Sequence, residues 1–140
     1  MENNVSIGRL VAAAHKKAYQ YAGTKLKNCD IEVGQFFFLR YILKNEGISQ
    51  EEVAQNMYLD KATVSKGVNI LVNKGYIQKK ANPKDKREYR LFVTKKALEM
   101  EEMIDGFHRE INEYLVKDLN KEEILQLRTI LNKIINQPIK

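Results

Sequence analysis

Polar and apolar positions follow a helical period along most of the chain, and this period is interrupted once. Near the N-terminus, apolar residues recur three or four positions apart, at Ile7, Leu10, Val11, Ala14 and Ala18. The same spacing returns in residues 64–71 and again beyond residue 98. Between these stretches, residues 76–80 and 89–93 alternate with the period of two that is typical of strands. The pattern predicts a mainly α protein with one small antiparallel β hairpin.

A short helix is predicted in the middle of the chain. Ser49 and Glu52 have the spacing of a capping box, and Ile48 and Val53 flank it as a hydrophobic staple. The helix should therefore begin at about residue 50 and end near residue 56 or 57.

A second helix should follow at once. Asp60 is its expected N-cap, and Val64, Val68 and Leu71 form one apolar stripe at positions i, i+4 and i+7. Gly75 is the expected left-handed stop. Two short helices in this order are typical of a helix-turn-helix.

The other faces of this second helix carry hydrogen-bonding side chains. These residues are Lys61, Thr63, Ser65, Lys66 and Asn69. Ser, Thr and Asn are weak helix formers, and a helix face in contact only with water would usually carry Glu, Lys or Ala instead. The polar face therefore favours a helix that contacts a polar partner, as a recognition helix does in the major groove.

Positive charge is concentrated in the segment that holds the predicted strands. Residues 74–96 contain nine Lys or Arg and two Asp or Glu, a net charge of +7, whereas the whole chain carries +6. Such a patch attracts phosphates. The connection ANPKDKRE looks too long and too charged for a tight hairpin, so a loop turning at Asn82 and Pro83 should present Lys84, Lys86 and Arg87 to solvent. The alternative is a solvated hairpin without a partner.

With the flanking helices, these residues resemble the MarR family of transcription regulators. The resemblance lies in DKATVSKGVNILVNKGYIQKKANPKDKREYRLFVT, above all in Asp85-Lys86-Arg87, which matches the family's D-x-R wing pattern at the same distance after Gly75. It implies one domain over residues 1–140, with a winged helix-turn-helix at 30–96 and dimerisation helices at 1–28 and 97–140. The chain departs from the family in having Ala97 where a T-x-x-G pattern often has glycine, although Thr94 remains an expected N-cap.

The resemblance also implies how double-stranded DNA is bound. Arg87 would enter the minor groove while Asp85 braces it or Arg90, and the second helix would divide base and phosphate contacts. The implied DNA-binding residues are Lys61, Thr63, Ser65, Lys66, Asn69, Lys84, Asp85, Lys86, Arg87 and Arg90. The alternative for Asp85 and Arg87 is an exposed ion pair of little energetic value.

The implied function is that of a sequence-specific regulator, more often a repressor in this family. It would bind a pseudo-palindromic promoter site as a homodimer, with its recognition helices ~34 Å apart. Two alternatives remain open. The long terminal helices could pack within one subunit, or the winged helix could contact an acidic protein instead of DNA.

An effector site is a further implication of the resemblance. The family often holds a small aromatic or anionic molecule between the dimerisation helices and the winged helix-turn-helix. His15, Tyr19 and Arg40 are the candidates to contact it here. The aromatic segment at residues 36–41 is more typical of a core. Cys29 is expected to be a plain thiol and not an oxidant sensor. Asp30 is expected to cap the helix that follows it.

Other classes of function find little support in the sequence. No nucleophile–base set, glycine-rich phosphate loop or H-E-x-x-H motif is present, so an enzyme is not expected. His15 and His108 lie far apart and there is one cysteine, so neither a metal nor another cofactor is expected. No apolar run approaches the ~18 residues of a membrane span, and no signal peptide is apparent, so a cytoplasmic location is expected.

Overall fold

The computed structural model describes residues 4–139, and this part of the chain contains seven helices and one two-stranded sheet. The elements in chain order are α1 (Ile7–Lys25), α2 (Val33–Lys44), α3 (Gln50–Asn56), α4 (Lys61–Asn73), β1 (Ile77–Asn82), β2 (Asp85–Val93), α5 (Lys95–Glu99), α6 (Glu101–Val116) and α7 (Lys121–Ile135). The prediction of a mainly α fold with a small antiparallel wing is confirmed. No helix among these residues is long and apolar enough to cross a membrane.

Local capping residues begin α3, α4 and α5 as predicted. Ser49 and Glu52 form a complete capping box on α3, in which the Glu52 N–H donates to Ser49 Oγ at 3.1 Å. Asp60 caps α4 by accepting from the Thr63 N–H at 2.6 Å. Thr94 caps α5. Each cap satisfies a backbone donor that would otherwise lack a partner at a helix start.

Asp30 is not the cap of α2, and that prediction was wrong. Glu32 holds the N-cap position, and its backbone N–H donates to Gln35 Oε1 at 3.1 Å. The Asp30 carboxylate instead accepts a hydrogen bond from the buried Tyr76 hydroxyl and lies 3.5 Å from Lys96 Nζ. The Tyr76 hydrogen bond lowers the pKa of Asp30, whereas burial and then Asp30 raise the pKa of Tyr76. Asp30 therefore attaches the α1–α2 loop to the start of the hairpin.

The wing is a tighter hairpin than predicted. Its strands extend to Asn82 and Asp85, so the turn contains only Pro83 and Lys84. The extra residues, 86–88, lie within β2, because Tyr89 pairs with Ala81 while Asp85 pairs with Asn82. The expected long loop is thus replaced by a bulged strand, which is how antiparallel ladders accommodate unpaired residues.

The base of the wing is attached to the segment that precedes α3. Gly47 N–H donates to the Leu91 carbonyl at 2.7 Å, and Leu91 N–H donates to the Ile48 carbonyl at 2.9 Å. Ser49 and Arg90 form an isolated bridge, and Arg90 Nη1 donates to the Gly47 carbonyl at 3.1 Å. Backbone and side-chain hydrogen bonds therefore join β2 to the start of α3.

The core lies between the helix-turn-helix, the base of the hairpin and α6. Its completely buried side chains include Phe36, Leu39, Ile42, Val68, Leu71, Leu91 and Ile104. Of the aromatic segment, Phe36 and Phe38 are buried, and Phe37 and Tyr41 are partly buried against them. The interpretation of residues 36–41 as core is confirmed.

Helices α2 and α4 approach each other closely at Gly67. A Cβ atom built on Gly67 would lie 2.8 Å from Cε2 of Phe38, below the separation of ordinary contacts. Glycine at this position allows α4 to lie directly against the Phe38 ring. The α2–α4 distance thus depends on the absence of a side chain.

The N- and C-terminal helices leave an apolar groove open to solvent. Helix α6 buries Ile104 and Ile111, whereas α7 buries no residue although its apolar positions form a stripe. A break near Leu119 and Asn120 separates α6 from α7, and Asn120 caps α7. The groove between α1, α6 and α7 has a volume of about 740 Å³, and its apolar lining includes Ile7, Leu10, Val11, Leu115, Ile124, Leu127 and Leu131.

Candidate nucleic-acid interface

Helix α4 presents a polar face to solvent and buries the opposite one. Val64, Gly67, Val68 and Leu71 are buried against the core. Four of the five predicted contact residues, Lys61, Thr63, Lys66 and Asn69, are exposed, and Ser65 is half-buried. The α4 packing thus leaves its N-terminal half accessible, which is the half that a recognition helix inserts into the major groove.

The wing presents a nearly free guanidinium. The Arg87 side chain is 93% exposed, and its Nε lies 3.4 Å from Asp85 Oδ1, which also accepts from the Arg87 backbone N–H at 3.0 Å. Asp85 therefore contacts Arg87, one of the two arginines proposed for it. An exposed pair of this kind contributes about 0–1 kcal/mol, so it orients the arginine and does little for stability.

Arg90 has a different environment from Arg87. Besides its bond to Gly47, Arg90 Nη2 lies 3.1 Å from Glu88 Oε1. These contacts occupy the guanidinium at the base of the wing. Lys84 and Lys86, by contrast, are exposed near the turn.

A depression of about 190 Å³ lies where α3, α4 and the wing meet. Its lining consists of Gln50, Glu51, Lys61, Val64, Ser65, Arg87, Glu88 and Tyr89. The depression therefore brings two of the predicted helix residues and the predicted wing arginine to one side of the molecule. Gln50 and Tyr89 were missed by the sequence analysis, since no local pattern relates the start of α3 to the wing. Gln50 Oε1 is buried there without a hydrogen-bond partner among the described residues.

The three effector candidates separate into two groups. His15 and Tyr19 lie on α1 with their ring centroids 4.3 Å apart, and Tyr19 contacts Phe37 at 5.5 Å. Arg40 is paired with a carboxylate, since its Nε lies 3.3 Å from Asp105 Oδ1.

A charged cluster surrounds Arg40 at the contact between α2 and α6. Lys44 Nζ lies 2.5 Å from Asp105 Oδ2 and 3.2 Å from Glu101 Oε2. Lys44 lowers the pKa of Asp105, with a smaller contribution from Arg40. Burial lowers the pKa of His108 in the same region, and Arg40 lowers it further against the effect of Asp105. The cluster therefore joins α2, in the winged helix-turn-helix, to α6.

Cys29 is half-buried and free. Within residues 4–139, no group of three or more His, Cys, Asp and Glu side chains could hold a metal ion.

Comparisons with known proteins agree with this geometry. The sequence model of the MarR family matches residues 30–88. The transcriptional regulator BilQ of Clostridium symbiosum is 30% identical over 114 residues, which cover 81% of this chain and 79% of BilQ. The multiple antibiotic resistance protein MarR of Escherichia coli is 25% identical over 132 residues, covering 94% of this chain and 92% of that protein.

Solved structures have the same fold. The MarR protein from Peptoclostridium difficile superposes with a TM-score of 0.86 at 30% identity, over 96% of this chain and 89% of that one. A mutant MarR from Escherichia coli complexed with operator DNA gives a TM-score of 0.82 at 25% identity, over 91% and 92% of the two chains. With the wing and the exposed α4 in place, the chain belongs to the MarR family of winged helix-turn-helix, DNA-binding transcription regulators.

Proposed function

We propose that the protein represses transcription by occupying a pseudo-palindromic promoter site as a homodimer. The observation that carries this proposal is the shared depression between α4 and the wing, which Lys61, Ser65 and Arg87 all line. A duplex that receives α4 in its major groove would meet Arg87 in the adjacent minor groove. Because control of a promoter requires access to the chromosome, we place the protein in the cytoplasm.

The exposure and charge of each side chain determine which part of the DNA we assign to it. Lys61, Thr63, Ser65, Lys66 and Asn69 on α4 share base edges and phosphates, and Lys84 and Lys86 on the wing contact phosphates. Arg87 enters the minor groove and Asp85 orients it. Arg90 contributes mainly by holding the base of the wing, since Gly47 and Glu88 already occupy its guanidinium.

The groove between α1, α6 and α7 supports the homodimer. Of the residues that line it, Leu127 and Leu131 on α7 are each 38% exposed, and Ile7 on α1 is 68% exposed. Contiguous apolar surface of this extent marks an interaction site in most proteins. A two-fold partner would cover this groove with the same helices, residues 1–28 and 97–140. The two winged helix-turn-helix modules would then lie side by side.

We further propose that a small effector releases the protein from DNA. His15 lines the groove, and its ring packs at a tilt of 39° against the Tyr19 ring, so an aromatic molecule has ring partners there. An anion would have to displace Asp105 from Arg40. We therefore favour an aromatic effector over one recognised by its charge.

The DNA proposal is tested by titrating the protein against a duplex at several salt concentrations. The duplex is the one that the wild-type protein selects from a random-sequence pool. Log affinity should fall linearly with log salt, at a slope near −0.9 per neutralised phosphate. Arg87→Ala should weaken binding by ~1–3 kcal/mol. Arg109→Ala, an exposed arginine on α6, is the matched control and should leave affinity unchanged. A flat salt dependence would instead favour an acidic protein partner for the wing.

The dimer proposal is tested by analytical ultracentrifugation of groove variants. Leu127→Glu places a charge in the groove and should produce monomers with weakened duplex binding. Thr129→Glu adds the same charge at an exposed α7 position that is not among the groove-lining residues, and should remain dimeric. A wild-type protein that sediments as a monomer at micromolar concentration would contradict the homodimer.

A further inference from the structure

Tyr58 has a strained backbone in the turn between α3 and α4. Its φ is +58°, and it is the one residue other than glycine with a positive φ among residues 4–139. The left-handed region brings a Cβ atom close to the following carbonyl, so a side chain there costs free energy that glycine would avoid. Aromatic residues are rare in this conformation. The turn itself would form more favourably with glycine.

The left-handed conformation itself ends α3, because it lets the Leu59 N–H donate to the Ala54 carbonyl at 2.9 Å, but the turn does not require a tyrosine side chain. The Tyr58 side chain is 69% exposed, and its hydroxyl has no hydrogen-bond partner among the described residues. The Tyr58 backbone N–H makes one long hydrogen bond, to the Gln55 carbonyl at 3.4 Å. An aromatic ring in water gains little, so the Tyr58 side chain contributes little to the fold, and glycine would form the same helix end at a lower cost. Strained residues that the fold does not require are concentrated at functional sites.

The position of Tyr58 indicates what it contacts. It lies two residues before Asp60, the N-cap of α4, and three before Lys61. In a helix-turn-helix on DNA, the first helix crosses the sugar–phosphate backbone and the second enters the major groove. The turn that joins them therefore lies over the backbone, outside the reach of base edges.

We propose that Tyr58 contacts the DNA backbone, with its phenolic hydroxyl donating a hydrogen bond to a phosphate oxygen and its ring packing against the adjoining sugar. Tyrosine is one of the side chains that form such positioning contacts, which carry no sequence information of their own. The contact rests on the proposed binding of duplex DNA. Because tyrosine is neutral, it releases no counterion and adds affinity without changing the salt slope.

Two substitutions separate this role from a structural one. Tyr58→Phe keeps the ring and removes the hydroxyl, so affinity should fall about ten- to a hundredfold, as expected for one hydrogen bond to a charged acceptor. Tyr58→Gly removes the ring and relieves the backbone strain, so affinity should fall further while the midpoint of thermal unfolding rises. A gain in stability together with a loss of duplex binding would mean that the Tyr58 side chain serves DNA binding and not the fold.

The experiment uses the full chain and two probes. One is the duplex selected by the wild-type protein, and the other is a random-sequence duplex at low salt. A phosphate contact predicts the same fold-loss for Tyr58→Phe on both duplexes and an unchanged salt slope, whereas Arg87→Ala, measured in parallel, should reduce the slope by about one.

Each other result overturns the contact. Full affinity in Tyr58→Phe would remove the hydroxyl bond, and a loss confined to the selected duplex would mean that Tyr58 reads a base. A Tyr58→Gly variant less stable than wild type would make Tyr58 a structural residue. If the wild-type protein bound neither duplex, the proposed DNA function would fail as well, which distinguishes that failure from one of Tyr58 alone.

Discussion

Substitution of Gly67 by alanine tests the close approach of α2 and α4. Alanine is the better helix former, by about 1 kcal/mol in a helix interior, so α4 alone would be stabilised. The new Cβ would however lie 2.8 Å from Cε2 and 3.0 Å from Cδ2 of Phe38. Phe38 is buried and its ring is rigid, so either the ring or the helix must move.

The two effects can be compared with a control glycine in another helix. Overpacking of a filled core costs ~1–3 kcal/mol, so Gly67→Ala should change stability by between about zero and 2 kcal/mol of destabilisation. Gly106 lies within α6, and a Cβ there would meet only the flexible end of Arg109 at 3.8 Å. Gly106→Ala should therefore stabilise the protein by ~0.5–1 kcal/mol. The difference in the free energy of unfolding between the two variants, ~1–3 kcal/mol, measures the cost of the steric clash with Phe38.

Urea denaturation at one fixed protein concentration provides the free energies, since the stability of an oligomer depends on concentration. Phe38→Leu supplies a double-mutant cycle. It should cost less in the Gly67→Ala background than in the wild type, because the added methyl group fills part of the space left by the ring. Equal stability of Gly67→Ala and Gly106→Ala, without coupling to Phe38→Leu, would refute the steric argument.

Three further predictions concern single interactions. His108→Gln should flatten the dependence of stability on pH between about 7 and 5, because the pKa of His108 is lowered on folding and the wild type loses stability as pH falls below the ordinary value of 6.5; a slope as steep as that of the wild type would contradict this. Tyr76→Phe should destabilise the protein by ~1–2 kcal/mol by removing the hydroxyl bond to Asp30, and an unchanged midpoint in thermal unfolding would count against that bond. Ser49→Ala should cost ~0.5–2 kcal/mol in the same measurement, since Glu52 loses its capping partner, and no loss would show that the box is dispensable.

The sequence was most informative where both partners of an interaction lie close together in the chain. The caps at Ser49, Asp60 and Thr94 each bond to a backbone N–H three residues later, so a local pattern is sufficient to predict them. Asp30 bonds instead to Tyr76, 46 positions away, and no local pattern relates the two. A residue that looks like a cap can thus have its partner in a distant element.

The wing shows a second limit of structure prediction from local sequence patterns. Residues 82–88 are almost all polar or charged, which is typical of a loop, yet β1 and β2 extend through most of them. A hairpin that is exposed on both faces is held by backbone hydrogen bonds, which do not require apolar alternation. The exposure of Arg87 agrees with the prediction, but the contact of Arg90 with Gly47 could not be foreseen, since the two residues are 43 positions apart.

The hydrogen bonds between β2 and residues 47–49 have a mechanical consequence. They fix the base of the wing to the start of α3, so these two parts of the chain are expected to move together. A movement of the terminal helices would then shift the base of the wing and the start of α3 together, without changing the distance between them. In the proposed homodimer, such a movement would change the angle between the two winged helix-turn-helix modules and leave the base of each wing in place.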